Sequence, residues 1–420
     1  MEEFMPGGID MEQAVRIAKV MADNGVDMLN VSIGIGESVE YIIPPASVPD
    51  GWNADRAAAI KRAVGSRIPV AVVGRICNRK TAENIIASGK ADLVAMGRAL
   101  LADPFLPAKL AEGRDDEILT CIGCNEGCTG MLNECRPISC ALNPRTGYED
   151  DYPMTQADAP KAVVVIGGGP AGCEAALTAA QRGHKVVLFE ATSTLGGLAN
   201  IAALPPGKGV FATLGTYFSA MLPRAGVDVR LNTKADADAV RALHPDHVIV
   251  ATGGTPIVPR FCADSPVVLA QDILTGAAQA GSRVLVIGGG LVGSETAEFL
   301  ADKGREVTVV ELRDGIALDM EYKTRQMLMP KLAALGVVCL TETEVLEIGC
   351  NGNVKVKTPY LEKELSGFDT VVVALGYRPD AALCADLAAA DIDFVQVGDC
   401  KKVGKIINGV WEAFQLAYRI

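Results

Sequence analysis

Apolar and polar positions change rhythm several times along the 420-residue chain. Residues 11–25 carry apolar side chains at helical spacing and stop at Gly25, which predicts an amphipathic helix. The short apolar run 27–32 predicts a buried strand. Residues 54–64 return to the helical period. The run 69–73 is a second strand, stopped by Gly74-Arg75. A helix over 80–88 follows, then a third strand over 91–96, stopped by Gly97-Arg98. Strands alternating with helices predict a parallel sheet. After an acidic, proline-containing linker that runs to Pro160, the same rhythm resumes: a strand at 161–166, a helix at 173–182 and a strand at 186–189. It recurs with a strand at 284–287, a helix at 294–303 and a strand at 307–310. Apolar runs at 248–251 and 371–375 predict two strands flanking that second copy, where the chain enters and leaves an inserted domain. A strand over 395–397 and a helix over 409–418 close the chain. The fold class is α/β throughout.

Composition narrows the picture. Apolar residues make up 49% and aromatics only 5%, with 44 glycines, as expected of Ala/Val/Gly-rich α/β packing. The net charge of −12 argues against nucleic acid and against an anionic membrane face. No apolar run reaches membrane-spanning length, and the N-terminus has no basic region followed by an apolar core, so a cytoplasmic protein is expected. Twelve cysteines in such a chain point to metal or redox chemistry before structural disulfides.

Four of those cysteines share a spacing. Cys121 and Cys124 are separated by two residues, Cys128 follows after three more, and Cys140 after eleven. Four converging sulfurs suit a cubane iron–sulfur cluster or a tetrahedral zinc. The other eight, Cys135 included, read as ordinary buried thiols. On either side of this loop lie phosphate-binding patterns. Gly74-Arg75 and Gly97-Arg98 each end a strand. Glycine lets backbone N–H groups approach a phosphate and arginine supplies a bidentate cation, so the pair predicts a phosphate site. Gly167-x-Gly169-x-x-Gly172 runs from strand into helix, with Glu190 at the end of the next strand. This is the dinucleotide fingerprint in full context: a tight turn, access for a pyrophosphate, close helix packing and an acid for the ribose. Gly288, Gly290, Gly293 and Glu311 repeat it at the same offsets. The two copies suit one flavin and one nicotinamide dinucleotide, or a single site and a structural relic. Glu311 favours NADH over NADPH, while Arg313 two residues on weakens that preference. Gly398-Asp399 at a strand end is expected to hold flavin ribityl hydroxyls.

The spacing of the cysteines with Leu142-Asn143-Pro144, the run Ala99 to Pro104, and Gly196-Gly197-Leu198 with Pro206-Gly207-Lys208 carry a resemblance. The chain resembles the C-terminal two-thirds of the iron–sulfur flavoenzymes that include 2,4-dienoyl-CoA reductase, enoate reductases and trimethylamine dehydrogenase. These are Old Yellow Enzyme-like barrels fused to an FAD/NAD(P) reductase, and the cysteine spacing is nearer the dienoyl-CoA and enoate branch. The resemblance implies that Cys121, Cys124, Cys128 and Cys140 ligate a 4Fe-4S cluster. It implies that Gly74, Arg75, Gly97 and Arg98 hold FMN phosphate. Gly167, Gly169, Gly172, Glu190, Gly197, Gly398 and Asp399 fall on the FAD side, and Gly288, Gly290, Gly293 and Glu311 on the NADH side. Electrons would pass from NADH through FAD and the cluster to FMN, which reduces an activated C=C bond in an unsaturated small molecule or acyl-CoA.

The expected domains are a partial TIM-barrel segment over 1–115, a cluster loop over 116–150, an FAD domain over 161–280 and 371–420, and an NAD(P) domain over 281–370. Three strand–helix units stand where a closed barrel needs eight. The opening strands, with most flavin-ring contacts, are expected from a partner supplying the missing half. The alternatives are an electron-input subunit and an inactive fragment. No catalytic residue is assigned: Gly36 falls where some members have a histidine, and His184, His244 and His247 read as surface or helix-terminus residues.

Overall fold

The computed structural model describes residues 2–262, 267–349 and 352–420, and the chain forms two compact units. Residues 1–147 make the first, joined by Glu321–Met327; Tyr148–Met320 and Leu328–Ile420 make the second.

In the first unit the helix Met11–Asp23 starts at a capping box. Asp10 accepts from the Gln13 backbone N–H at 2.8 Å, and the Gln13 side chain accepts from Asp10 N–H at 3.2 Å. Two orphan amides are thereby satisfied. Strands Leu29–Val31, Val70–Val73 and Leu93–Ala95 pair in parallel in chain order. The helix Ala54–Val64 covers the sheet with its alanine face: Ala57 is fully buried, against Val70 and Val72. Just before it, buried Asn53 donates through Nδ2 to Val31 O and Val73 O, each at 2.9 Å. This one side chain joins the ends of two strands just ahead of Gly74, so it fixes where the Gly-Arg turn begins.

The second unit holds two five-stranded parallel sheets of like order. In one, Ala162–Ile166 lies between His247–Val250 and Lys185–Phe189, with Val395–Gln396 and Asp228–Arg230 at the edges. In the other, Arg283–Ile287 lies between Thr370–Val373 and Glu306–Val310, with Val267–Leu269 and Val338–Leu340 outside. The central strands are buried on both faces, which is why they read as unbroken Val/Ile runs rather than alternating ones. Where the chain leaves and re-enters the first sheet, Gly254–Pro256 pairs antiparallel with Tyr377–Pro379.

Both fingerprint helices begin earlier than expected, at Pro170–Gln181 and Leu291–Asp302. Proline at a helix's first position costs nothing, because that N–H has no intrahelical partner. The terminal helix, Ile406–Tyr418, packs along the first fingerprint helix. The pattern gave no warning of an antiparallel sheet, Glu344–Ile348 with Val354–Lys357 and Glu362–Leu365, or of the helix Tyr322–Ala334. That helix contains Pro330, which breaks a sequence-based reading. Among the described residues no helix is long and apolar enough to cross a membrane.

Candidate functional site

The cysteine loop is shaped by its glycines. Gly123 sits at φ +64 and accepts from the Ala46 N–H at 3.1 Å. A Cβ on Gly127 would lie 2.7 Å from both Ala141 N and Cys140 C, so only glycine lets the returning arm come this close. Ser139 N–H donates to Gly127 O at 2.8 Å and locks that approach. Asn125, in the left-handed region at φ 60, reverses the chain between Cys124 and Cys128. As a result Cys121, Cys124, Cys128 and Cys140 line one small cavity together with Arg98, Asn125 and Ser139.

The amides follow the sulfurs. Leu142 N–H donates to Cys140 Sγ at 3.4 Å. Backbone N–H groups of Gly123, Glu126 and Thr129 point at the sulfurs of Cys121, Cys124 and Cys128. Burial pushes the Cys124 and Cys128 thiols up, and Cys140 up to about 12. Cys121 is drawn down to about 6, first by a hydrogen bond with Cys77 and then by the charge of Arg98. Cys77 is a fifth sulfur at this loop that the spacing did not show. Its own thiol is pushed up, by that hydrogen bond and by burial. The hydroxyls of Ser139 and Thr129 are buried without a partner among the described residues. Among those residues no three His, Cys, Asp or Glu side chains form the ligand group of a single ion. Cys135 is exposed rather than buried, because it sits at φ 56 on the outer turn of the loop. Cys350 lies outside the described residues.

The two arginines expected at a phosphate turn toward this loop. Arg75 is 6% exposed and pairs through Nη2 with Asp50 Oδ1 at 2.8 Å. Its Nε and Nη1 are buried and unpaired, and Nη1 fills the position that a Cβ on Gly123 would take. The Arg75 guanidinium thus keeps two buried donors without a partner among the described residues. Arg98 donates through Nη1 to Asn125 Oδ1 at 2.6 Å and to Pro44 O at 2.9 Å. Gly97 is exposed, and a Cβ there would meet nothing within 4 Å, whereas a Cβ on Gly74 would meet Asn53 and Trp52. Near the first strand's end, Tyr41 stacks on Phe4 at 4.3 Å.

The first dinucleotide loop is open where a ligand would enter. A Cβ on Gly172 would collide with Gly167 O, while one on Gly169 would have nothing within 4 Å. Glu190 accepts from the Gly168 N–H at 2.6 Å and from the Thr192 N–H at 2.7 Å. Gly197 comes within 3.0 Å (Cβ position) of Gly169 Cα. Gly398, at φ 68, approaches Ala171 Cβ to 3.0 Å in the same sense, which brings Asp399 beside the fingerprint helix. Asp399 accepts from the Gly404 N–H at 3.0 Å, and burial raises its carboxyl above the ordinary range.

The second loop repeats this with one difference. Glu311 accepts from the Gly289 N–H at 2.6 Å and from the Arg313 N–H at 2.8 Å, and Gly293 meets Gly288 O as Gly172 meets Gly167 O. Gly290, however, is covered by Asp319, whose Oδ1 accepts from the Leu291 N–H at 2.9 Å. Arg313 lies against both Glu311 and Asp319. Lys208 donates to Glu295 of the second fingerprint helix at 2.6 Å, a buried pair that pattern alone could not place. His184 is 6% exposed and lies at the end of the first fingerprint helix, its N–H donating to Ala179 O at 3.1 Å and its Nδ1 accepting from the Lys161 N–H at 3.1 Å.

Known proteins are similar to this chain in sequence and fold. Residues 161–399 match the Pyridine nucleotide-disulphide oxidoreductase family and residues 1–117 the NADH:flavin oxidoreductase / NADH oxidase family. An NADH oxidase from Thermoanaerobacter brockii is 42% identical over 100% of this chain and 65% of its own length. A cinnamate reductase from Clostridium sporogenes is 32% identical over 100% of this chain and 63% of its own length. The solved structure of 2-naphthoyl-CoA reductase with 2-naphthoyl-CoA superposes with a TM-score of 0.93 at 32% identity, covering 100% of this chain and 64% of that one. The chain thus spans less than two thirds of the length of each of these proteins. By its two family matches and these relatives, the chain belongs to the Old Yellow Enzyme-like NADH:flavin oxidoreductases of the 2,4-dienoyl-CoA reductase type.

Proposed function

We propose that this chain carries the electron-input half of an NADH-dependent flavin and iron–sulfur oxidoreductase that reduces an activated C=C bond of an enoate or dienoyl-CoA type substrate. One observation carries the reading: four cysteine sulfurs line one cavity, backbone amides point at them, and two dinucleotide loops follow in the same chain. Amides directed at sulfur suit a ligand set that must hold negative charge. The partnerless Ser139 and Thr129 hydroxyls beside it are donors awaiting an acceptor.

Cys121, Cys124, Cys128 and Cys140 would hold a 4Fe-4S cluster. Gly167, Gly169, Gly172, Glu190, Gly197, Gly398 and Asp399 would hold FAD, with Gly169 leaving room for the pyrophosphate and Asp399 facing the ribityl chain. Gly288, Gly290, Gly293 and Glu311 would hold NADH. Arg313 is engaged by Glu311 and Asp319, so its charge is not free for a 2′-phosphate, which favours NADH over NADPH. Gly74, Arg75, Gly97 and Arg98 would hold FMN phosphate. Once bound, these groups would supply hydride from nicotinamide, two-to-one electron conversion at flavin and single-electron relay at the cluster.

The domains would be a barrel segment over 1–115, the cluster loop over 116–150, the FAD domain over 161–280 and 371–420, and the NAD(P) domain over 281–370. The three-stranded parallel sheet would be the closing part of a (β/α)8 barrel, completed by further residues of a longer chain or by a partner. The names of two similar proteins, cinnamate reductase and 2-naphthoyl-CoA reductase, support a conjugated acid or acyl-CoA as substrate.

The test is anaerobic analysis of the purified chain for iron, acid-labile sulfide, FAD and FMN per protomer, with NADH:ferricyanide activity alongside. The expected result is FAD with iron and sulfide, and NADH oxidation by ferricyanide without reduction of a cinnamate or an unsaturated acyl-CoA. Protein that takes up neither flavin nor iron after oxygen-free reconstitution would overturn the proposal.

A further inference from the structure

Cys77 is a buried sulfur at the cysteine loop that the proposed ligand set leaves unused. It lies in the turn after the strand Val70–Val73, between buried Ile76 and Asn78, and is 4% exposed. Asn78 fixes the backbone there: its Oδ1 accepts from the Thr81 N–H at 2.9 Å, and its Nδ2 donates to Asp50 Oδ2 at 2.7 Å. The Cys77 side chain packs with Ala99, Leu106 and Ile118, and Cys121 packs against the same apolar group. Cys121 is held from both sides. Before it, the Leu119 N–H donates to buried Asp103 Oδ2 at 3.0 Å; after it, Ile122 is buried. In this setting the two sulfurs are hydrogen-bonded to each other. Two other buried thiols turn to carbonyls instead: Cys173 Sγ donates to Gly168 O at 3.1 Å and Cys400 Sγ to Val250 O at 3.0 Å. A cysteine that ligates a metal does so as thiolate and has no proton to give. The direction of the bond then follows: the Cys77 S–H donates and Cys121 Sγ accepts.

We propose that Cys77 is a positioning residue of the iron–sulfur site, whose thiol orients the ligand sulfur of Cys121 by donating a hydrogen bond to it and thereby raises the reduction potential. The proposal rests on the reading of Cys121, Cys124, Cys128 and Cys140 as cluster ligands. The potentials of such clusters respond to hydrogen bonds at the sulfurs. The reduced form carries more negative charge on its sulfurs, so a donor stabilises it more than the oxidised form. The site becomes a better acceptor of an electron from a flavin.

The experiment is an anaerobic potentiometric titration of the reconstituted chain, read from the electron paramagnetic resonance signal of the reduced cluster, with iron counted in each sample. Three variants accompany the wild type. Cys77→Ala removes the donor, Cys77→Val removes it while filling the space, and Cys77→Ser keeps a donor on the same carbon. At the wild-type midpoint, the alanine and valine variants should each lower the reduced-to-oxidised ratio threefold or more, a downward shift of about 28 mV or more for one electron. The serine variant should stay within about threefold of wild type or lie above it. Iron-loaded alanine and valine proteins with midpoints closer to wild type than this overturn the proposal. So does a serine variant displaced downward with them, because the sulfur would then act by its packing and not by its proton. If neither donor-free variant retains iron, the serine variant decides: iron retained at an unmoved midpoint supports the proposal, and iron lost overturns it. Wild-type protein that binds no iron removes the cluster reading itself, an outcome distinct from loaded protein whose variants do not shift.

Discussion

Glu174 and Glu295 stand seven positions after the first glycine of their respective fingerprints, on matching helices, and both are buried. Their partners differ. Glu295 faces the Lys208 ammonium at 2.6 Å, which works against the upward pull of burial. Among the described residues Glu174 has the Thr178 hydroxyl at 3.0 Å and no cation, and burial pushes its carboxyl up to about 7. Its folded value therefore lies above the ordinary carboxylate value. Between pH ~4.5 and ~7 the folded chain keeps a proton that the unfolded chain has released, so stability is full below that window and falls as pH rises through it. Integrated, the loss amounts to at most ~3 kcal/mol. Glu174→Gln should remove this slope, leaving the variant more stable than wild type at pH 7.5 and near it at pH 4.5. Urea unfolding at the two pH values reads this directly, and parallel behaviour of the two proteins would show that Glu174 is ionised in the fold.

The two fingerprint helices show how far an element can be read from sequence. Strand, glycine loop, helix and acid were legible in both copies, because each demand is local: a tight turn at Gly167 and Gly288, and contact at Gly172 and Gly293 closer than any Cβ permits. What covers the loop was not legible, because that comes from residues far along the chain. Asp319 lies 28 positions past Leu291 yet caps its N–H at 2.9 Å, so a carboxylate sits where the amides of a helix N-terminus would meet a pyrophosphate. Among the described residues no carboxylate lies within 4 Å of a Cβ placed on Gly169. The same limit hid the directions of Arg75 and Arg98: the Gly-Arg pairs were visible, but the acceptors that turn the side chains, Asp50 and Asn125, come from other segments. It also hid Cys77, which meets Cys121 only once the three parallel strands of the first unit are aligned. A ligand entering the second loop must displace Asp319 and lose that contact. Asp319→Ala should then tighten NADH roughly threefold to tenfold, equivalent to ~1 kcal/mol. Fluorescence titration with NADH measures it, and an unchanged or weaker affinity would mean the carboxylate does not obstruct the site.

Across the whole molecule, one architecture is used twice in the second unit, and the division of labour between the copies lies in what surrounds them. Glu190 and Glu311 make the same contact, each accepting at 2.6 Å from the amide of the second residue of its loop, Gly168 or Gly289. Neither acid by itself distinguishes a flavin from a nicotinamide dinucleotide. The asymmetry lies in Gly197 and Gly398, which close on the first loop at Gly169 and Ala171 and bring Asp399 to it. This extra wall suits a long, permanently held cofactor, whereas the second loop, with its displaceable Asp319, suits one that comes and goes. If so, the same conservative change should have different consequences in the two places. Glu190→Gln should purify with less flavin per protomer. Glu311→Gln should keep its flavin and bind NADH about tenfold more weakly, a cost of ~1.4 kcal/mol. Flavin absorbance per protomer and an NADH titration, run on both variants, separate the two effects. Loss of flavin from the Glu311 variant with normal flavin in the Glu190 variant would exchange the two assignments, and with them the direction in which reducing equivalents enter the chain.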